Sequence, residues 1–180
     1  QPQETLLKSN FDIVLKSTNL DFVLLELCNE LKLNNFSFNK IETKGITYRK
    51  QDSLDEIIDN GAFKMVENLD ASEIIDRSLV KWKNYAYENG NFLQTPGTYA
   101  SSVIRDCSFG KCTFCRYNGP ELSFSIMDVK KSVDEYENLI NNYNVKEIFD
   151  DSGVWYRGQD ARNFAREIIK RGLHKKNCYF

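Results

Sequence analysis

Three cysteines lie within one short segment of the chain, Cys107-Ser-Phe-Gly-Lys-Cys112-Thr-Phe-Cys115. A thiolate is a soft ligand for iron or zinc, and residues 108–111 form a loop short enough to wrap one metal centre. Three such ligands would leave a four-iron cluster with one iron that has no protein thiolate. An iron with an open position can bind a substrate or cosubstrate, as a catalytic zinc does. The triad therefore predicts a centre that does chemistry rather than one that only stores electrons.

A structural zinc site is the alternative interpretation of the triad. Its fourth ligand would be Cys28, Cys178 or His174. Zinc modules usually present two paired Cys-x2-Cys or Cys/His elements, whereas this chain has one such pair. The spacing therefore favours iron and sulfide, and a non-catalytic protein that binds zinc or an electron-transfer cluster stays as the alternative.

The composition predicts an ordinary globular protein of a reducing compartment. Hydrophobic residues make up 41% and charged residues 28% of the 180 residues, and the net charge of -2 gives no general attraction to nucleic acid or anionic membranes. The apolar run 22–25 is broken at once by Glu26, and no secretory signal is seen, so we expect a cytoplasmic protein without a membrane partner. Five cysteines, an odd number, do not suit a secreted disulfide framework.

The two ends of the chain predict a fragment of a longer protein. The sequence starts at Gln1-Pro2 without an initiator methionine, and it stops at Cys178-Tyr179-Phe180, which is typical of the start of a strand.

Before residue 96 the pattern of elements is weak. Apolar residues predict a strand over 11–15, a helix over 20–33 and a strand over 46–49. The acidic stretch 52–68 fits an edge hairpin or a connector, and 72–87 fits a helix.

From residue 99 the pattern predicts strand, helix, strand, helix, strand. The strands are expected at 99–105, 145–149 and 178–180, and the helices start at Ser125 and after Gly158. This order means parallel pairing with right-handed crossovers, so the fold class is α/β. In such folds sites gather at the carboxyl ends of strands. The cysteine loop and Asp150-Asp151-Ser152 follow neighbouring strands and should lie side by side.

These residues resemble the radical S-adenosylmethionine (SAM) superfamily. Cys112-Thr113-Phe114-Cys115 carries its Cys-x-aromatic-Cys ending, placed after a first barrel strand. The segments 96–115 and 76–82 look like the branch whose members also carry a cobalamin-binding domain. The resemblance implies three parts: a C-terminal part of a Rossmann-like cobalamin-type domain over 1–50, a connector over 51–95, and the first βαβα units of a partial (β/α) barrel over 96–180.

The resemblance also implies cofactors and ligands. Cys107, Cys112 and Cys115 would hold a [4Fe-4S] cluster, and SAM would bind its open iron. Phe114 would lie near the adenine, and Asp150, Asp151 and Ser152 would take the place of the motif that receives the SAM amino group, where a carboxylate suits an ammonium-like donor.

Cobalamin is a candidate second cofactor, for methyl transfer, and an electron donor protein is an expected partner. No catalytic residue or substrate is assigned, and the fragment alone is expected to have little activity.

Two features depart from the usual family pattern. Most members have three residues between the first two cysteines, whereas this chain has four, 108–111. The usual Gly-Gly-Glu is replaced by Asp150-Asp151-Ser152, a form associated with the cobalamin-linked branch.

Overall fold

A computed structural model describes residues 2–64, 66, 68–88, 90–101, 103–107, 109–115 and 124–180. These residues belong to two compact units. The first takes the described residues of 1–66 and 113–123, and the second takes those of 67–112 and 124–180. The sequence predicted domain boundaries after residues 50 and 95, and the identities of those domains stay predictions. Within the described residues, no helix combines the length and apolar character that crossing a membrane requires.

The first unit is built on an antiparallel sheet. In chain order its elements are α1 Pro2–Leu7, β1 Ile13–Leu15, α2 Leu20–Leu33, β2 Ile46–Lys50 and β3 Ser53–Asp59. The strand order is β1-β2-β3, and both pairings are antiparallel. The core joins α2 residues spaced by four to the sheet and its flanking loop: Val23, Leu27, Leu31, Ile41, Ile46 and Tyr48. The predicted helix and both predicted strands are present, and the acidic stretch supplies the hairpin strand β3.

The second unit contains the parallel pairing. It begins with 3-10 turns at Leu69–Ala71 and Arg77–Leu79, then α3 Trp82–Glu88, β4 Gly97–Ala100, β5 Ile104–Arg105 and β6 Ser125–Ile126. Next come α4 Val129–Tyr143, β7 Glu147–Asp150, α5 Gly158–Lys170 and a 3-10 turn at Leu173–Lys175. Strands β4 and β7 pair in parallel, and Tyr179 continues the sheet through a parallel bridge to Glu147. The predicted α/β class with parallel pairing is confirmed.

Local signals explain the ends of the two crossover helices. The Asp128 side chain caps α4 by accepting a hydrogen bond from the backbone N–H of Lys130. At the other end Asn144 takes a left-handed conformation with φ of 52°, and Gly172 does the same after α5 with φ of 70°. The helices meet through an edge-on contact between the rings of Tyr136 and Phe164, whose centroids are 5.3 Å apart.

Three predicted elements were wrong in extent. Ser125 does not start a helix, because it pairs with Arg105 in a short antiparallel ladder and the helix begins after the Asp128 cap. The predicted helix over 72–87 is reduced to α3, since the Asp76 carboxylate caps a 3-10 turn instead. The predicted strand over 99–105 is interrupted after Ala100.

Replacing Gly97 by alanine should lower the thermal stability of the second unit. A Cβ atom there would lie 2.3 Å from Cγ of Phe92 and 2.6 Å from its Cβ, so the ring would have to move. Overpacking of this kind costs about 1–3 kcal/mol. Gly153→Ala is the matched control, because a Cβ at Gly153 meets no heavy atom within 4 Å. Equal melting temperatures for the two variants would contradict the close packing of Phe92 on β4.

Candidate functional site

The carboxyl ends of the two parallel strands lie next to each other. In the register of β4 and β7, Ala100 at the end of one strand faces Asp150 at the end of the other. The segment that follows Ala100 leads to the cysteines, and the segment that follows Asp150 carries the predicted Asp-Asp-Ser motif. Neighbouring carboxyl ends, as predicted, are therefore confirmed.

After Ala100 the backbone leaves the parallel ladder and is held by side chains. The N–H of Ser101 donates to both carboxylate oxygens of Glu135, at 3.1 Å each. The N–H groups of Val103 and Ile104 donate to the Ser152 hydroxyl oxygen, at 2.9 and 3.3 Å. Side chains from α4 and from the loop after β7 thus replace the missing strand partner.

Glu135 is itself held by a buried ion pair with Arg77. The guanidinium Nη2 lies 3.0 Å from Glu135 Oε1, and the two side chains are only 8% and 4% exposed. Arg77 also donates to the carbonyl oxygens of Tyr99, at 2.7 Å, and Ile75, at 3.3 Å. Both charged groups of this buried pair therefore have further hydrogen-bond partners: two carbonyl oxygens for Arg77 and the Ser101 N–H for Glu135.

Sequence reasoning missed both members of this pair. The available signal was the position of Glu135, which lies among the apolar residues of the α4 stripe, three residues after Ser132 and four before Leu139. A carboxylate on the buried face of a helix requires a buried partner.

The turn into the cysteine loop uses left-handed backbone. Asp106 has a φ of 63° directly after β5, and Gly110 has a φ of 52° within the loop. The backbone N–H groups of Gly110 and Phe109 donate hydrogen bonds to the Cys107 sulfur and lower the pKa of its thiol, and the charge of Arg157 acts in the same direction. Amide donors aimed at a sulfur are the kind of support that cluster-ligating thiolates receive, so Cys107 fits the predicted ligand.

The predicted residues of the cysteine loop are divided between the two units. Cys107 and Cys112 are half-buried and belong to the second unit, whereas Phe114, 92% exposed, and Cys115 are grouped with the first. Among the described residues, no three His, Cys, Asp or Glu side chains are close enough together to hold a metal ion. Ligation by Cys107, Cys112 and Cys115, and the place of Phe114 near an adenine, stay predictions.

The candidates for a fourth zinc ligand differ in their surroundings. Cys28 is exposed on α2, and His174 lies in an exposed 3-10 turn. Burial raises the pKa of the Cys178 thiol to about 11, which disfavours the thiolate that zinc requires.

The two carboxylate oxygens of Asp150 have different surroundings. Oδ1 accepts the backbone N–H of Ser152 at 2.9 Å and closes a tight turn. Oδ2 is buried and makes no hydrogen bond within the described part of the chain. Burial raises the pKa of Asp150, against the lowering effect of Ser152 and of the nearby Trp155 indole. A buried acceptor without a donor is a candidate ligand-binding atom. Asp151, by contrast, is exposed.

The aromatic residues after this turn, Trp155 and Tyr156, pack against other segments of the second unit. The Tyr156 hydroxyl donates to the carbonyl oxygen of Met127 at 2.7 Å, and burial raises its pKa. The Trp155 ring stacks edge-on against Phe164, with centroids 5.0 Å apart. Both side chains therefore attach the segment after the turn to other parts of the second unit.

No family model matches the chain. A curated relative, the anaerobic magnesium-protoporphyrin IX monomethyl ester cyclase of Cereibacter sphaeroides, is 28% identical over 167 residues, which cover 92% of this chain and 26% of the relative. Among solved structures, the apo, selenomethionine-labelled cobalamin-dependent S-adenosylmethionine radical enzyme OxsB gives a TM-score of 0.56 at 15% identity, over 95% of this chain and 23% of that one. The chain thus spans about a quarter of the length of either protein.

Together the two matches confirm the resemblance to the radical SAM superfamily and its cobalamin-linked branch. The curated relative supplies similarity in sequence, and the solved structure supplies similarity in fold.

Removing the Arg77 guanidinium should destabilise the second unit strongly. Arg77→Leu leaves the Glu135 carboxylate buried without its cation, at a cost of about 3–5 kcal/mol. Urea unfolding followed by tryptophan fluorescence measures this, since both tryptophans, Trp82 and Trp155, lie in that unit. Lys170→Ala breaks an exposed ion pair with Glu167 and should change the midpoint little. Similar midpoints for the two variants would contradict a structural role for the buried pair.

Asp150 should make the second unit less stable as the pH rises. Because its folded-state pKa is raised above 3.8, the folded protein binds the proton more tightly than the unfolded chain. This contribution is full below about pH 3.8 and is lost as the pH rises through the folded pKa. The melting temperature of Asp150→Asn, relative to the native chain, should therefore increase between about pH 4 and about pH 7. Asp151→Asn removes the same charge at an exposed position, and an equal trend in that variant would refute the effect of burial.

Proposed function

We propose that this chain, which resembles the cobalamin-linked branch of the radical SAM superfamily, carries the cluster-binding and SAM-binding part of a radical SAM enzyme. The observation that supports this most directly is the hydrogen bonding between the segment after β4 and the loop after β7. The segment that leads into the cysteine loop is hydrogen-bonded to Ser152, in the same turn as the unpaired buried oxygen of Asp150.

The predicted residues are assigned to the cluster and to SAM. Cys107, Cys112 and Cys115 would hold a [4Fe-4S] cluster, which when bound supplies the electron that cleaves SAM to methionine and a 5′-deoxyadenosyl radical able to abstract hydrogen from a substrate. Asp150 Oδ2 would accept a hydrogen bond from the SAM amino group, because a carboxylate pairs well with an ammonium-like donor. The same turn holds Asp151, which is exposed next to it.

The remaining features of the proposal concern the aromatic residue of the loop and the partners. Phe114, almost fully exposed, would contact the adenine. An electron donor protein and an organic substrate would be the partners of the intact enzyme. Cobalamin is the candidate second cofactor, for methyl transfer, with residues 1–50 as part of its domain. The solved structure with the similar fold is described as cobalamin-dependent, and it matches over 95% of this chain.

Anaerobic reconstitution with iron and sulfide tests the proposal. We expect a brown protein with equal amounts of iron and sulfide and a visible spectrum that changes when SAM is added. Cys112→Ala should lose the cluster, because two thiolates are left to hold it. Cys28→Ala is the control, since Cys28 is exposed on α2 in the first unit.

Two results would count against an iron–sulfur enzyme. A colourless protein that holds a single zinc ion would favour the structural alternative. Equal iron content in Cys112→Ala and Cys28→Ala would show that the triad does not bind the cluster.

A further inference from the structure

The Ser152 hydroxyl is the meeting point of the two loops at the carboxyl ends of β4 and β7. Its oxygen accepts the N–H of Val103 at 2.9 Å and the N–H of Ile104 at 3.3 Å. Both donors belong to buried residues, 1% and 4% exposed, in the stretch where the backbone has left the parallel ladder. Without Ser152 these buried N–H groups would lack a partner, and a buried donor without an acceptor is costly.

These two hydrogen bonds use the acceptor capacity of the hydroxyl. A serine oxygen has two lone pairs and one proton, so after accepting twice it can only donate. The amino group of SAM is a donor. The backbone amides of Val103 and Ile104 therefore already use the acceptor sites of the Ser152 hydroxyl, which cannot also accept from an amino group. Asp150 Oδ2, by contrast, has no donor among the described residues.

We propose that Ser152 is a positioning residue that fixes the base of the cysteine loop relative to the Asp150 turn. The connection runs through three groups. Asp150 Oδ1 accepts the Ser152 N–H at 2.9 Å, and the Ser152 hydroxyl in turn holds Val103 and Ile104. Ile104 belongs to β5, which ends at Arg105 just before Cys107. A ligand held by the other oxygen of Asp150 is thereby kept in register with the backbone that presents the first cysteine.

This inference rests on the proposed function for its ligand, but its structural part is independent of any cofactor. Hydrogen exchange of individual backbone amides, measured by NMR without metal, tests that part. In Ser152→Ala the amides of Val103 and Ile104 should exchange about fivefold to tenfold faster, which corresponds to the loss of one ordinary hydrogen bond. Ser152→Thr keeps the hydroxyl and should keep the protection.

Two further variants provide a second test and a control for the exchange measurement. Ser152→Cys replaces the hydroxyl by a weak acceptor of similar shape and should also speed exchange, so a decision is still possible if the alanine variant does not fold. Ser78→Ala removes a hydroxyl hydrogen bond to Asp76 in the same unit and should leave Val103 and Ile104 unchanged. Unchanged exchange in Ser152→Ala or Ser152→Cys, or equal loss in Ser152→Thr, overturns the inference.

The positioning role is tested on protein reconstituted with iron and sulfide, through the change that SAM causes in the electron paramagnetic resonance spectrum of the reduced cluster. Ser152→Ala should keep the iron content of the native chain but need about tenfold more SAM for half of the spectral change, and Ser152→Thr should restore it. An unchanged half-saturating concentration in Ser152→Ala overturns the positioning role. If the native chain takes up no iron, the proposed function fails, and the exchange data still decide whether Ser152 holds the loop base.

Discussion

The second unit depends on how the backbone amides after β4 find acceptors. The parallel ladder ends at Ala100, yet Val103 and Ile104 are buried beyond it, and a buried amide without an acceptor is costly. Glu135 and Ser152 supply acceptors, one from α4 and the other from the loop after β7. A carboxylate can do this in the interior only if its charge is balanced, and Arg77 provides that balance. One requirement of the backbone thus explains a buried ion pair and the hydrogen bonds of a half-buried serine.

The same requirement explains which elements sequence could predict. The helix over 20–33 was predicted with its observed bounds, because helical spacing of apolar residues is a local pattern; the residues that it buries are Val23, Leu27 and Leu31. The strand over 99–105 was predicted as continuous because its residues favour extended backbone. Where the strand is interrupted, the N–H of Ser101 donates to Glu135, which lies more than thirty positions later in the chain. Interactions between distant segments of this kind leave no local pattern.

The candidate site likewise has features that the sequence predicts and features that depend on contacts between distant segments. The cysteine spacing and the carboxylates after a buried strand were visible in sequence, since each is a short pattern with a chemical meaning. Their detailed roles were not visible. Asp150 and Ser152 were grouped as equivalent contacts of one motif. The structure gives the serine hydroxyl two backbone donors, whereas one aspartate oxygen has no donor among the described residues. Arg77, hidden in a segment predicted as helix, was recognised only from its buried contacts.

The Asp150 side chain both shapes the turn after β7 and carries a buried acceptor oxygen. Its Oδ1 shapes the turn that places Ser152, and its buried Oδ2 raises the cost of the charged form, which is why its pKa is raised. A cationic amino group bound at Oδ2 would stabilise the charged form and lower that pKa. By linkage, deprotonation of Asp150 must strengthen the binding of such a ligand by the same free energy. In the proposed function, this oxygen, which accepts no hydrogen bond from the described residues, would favour an ammonium-like group over a neutral one.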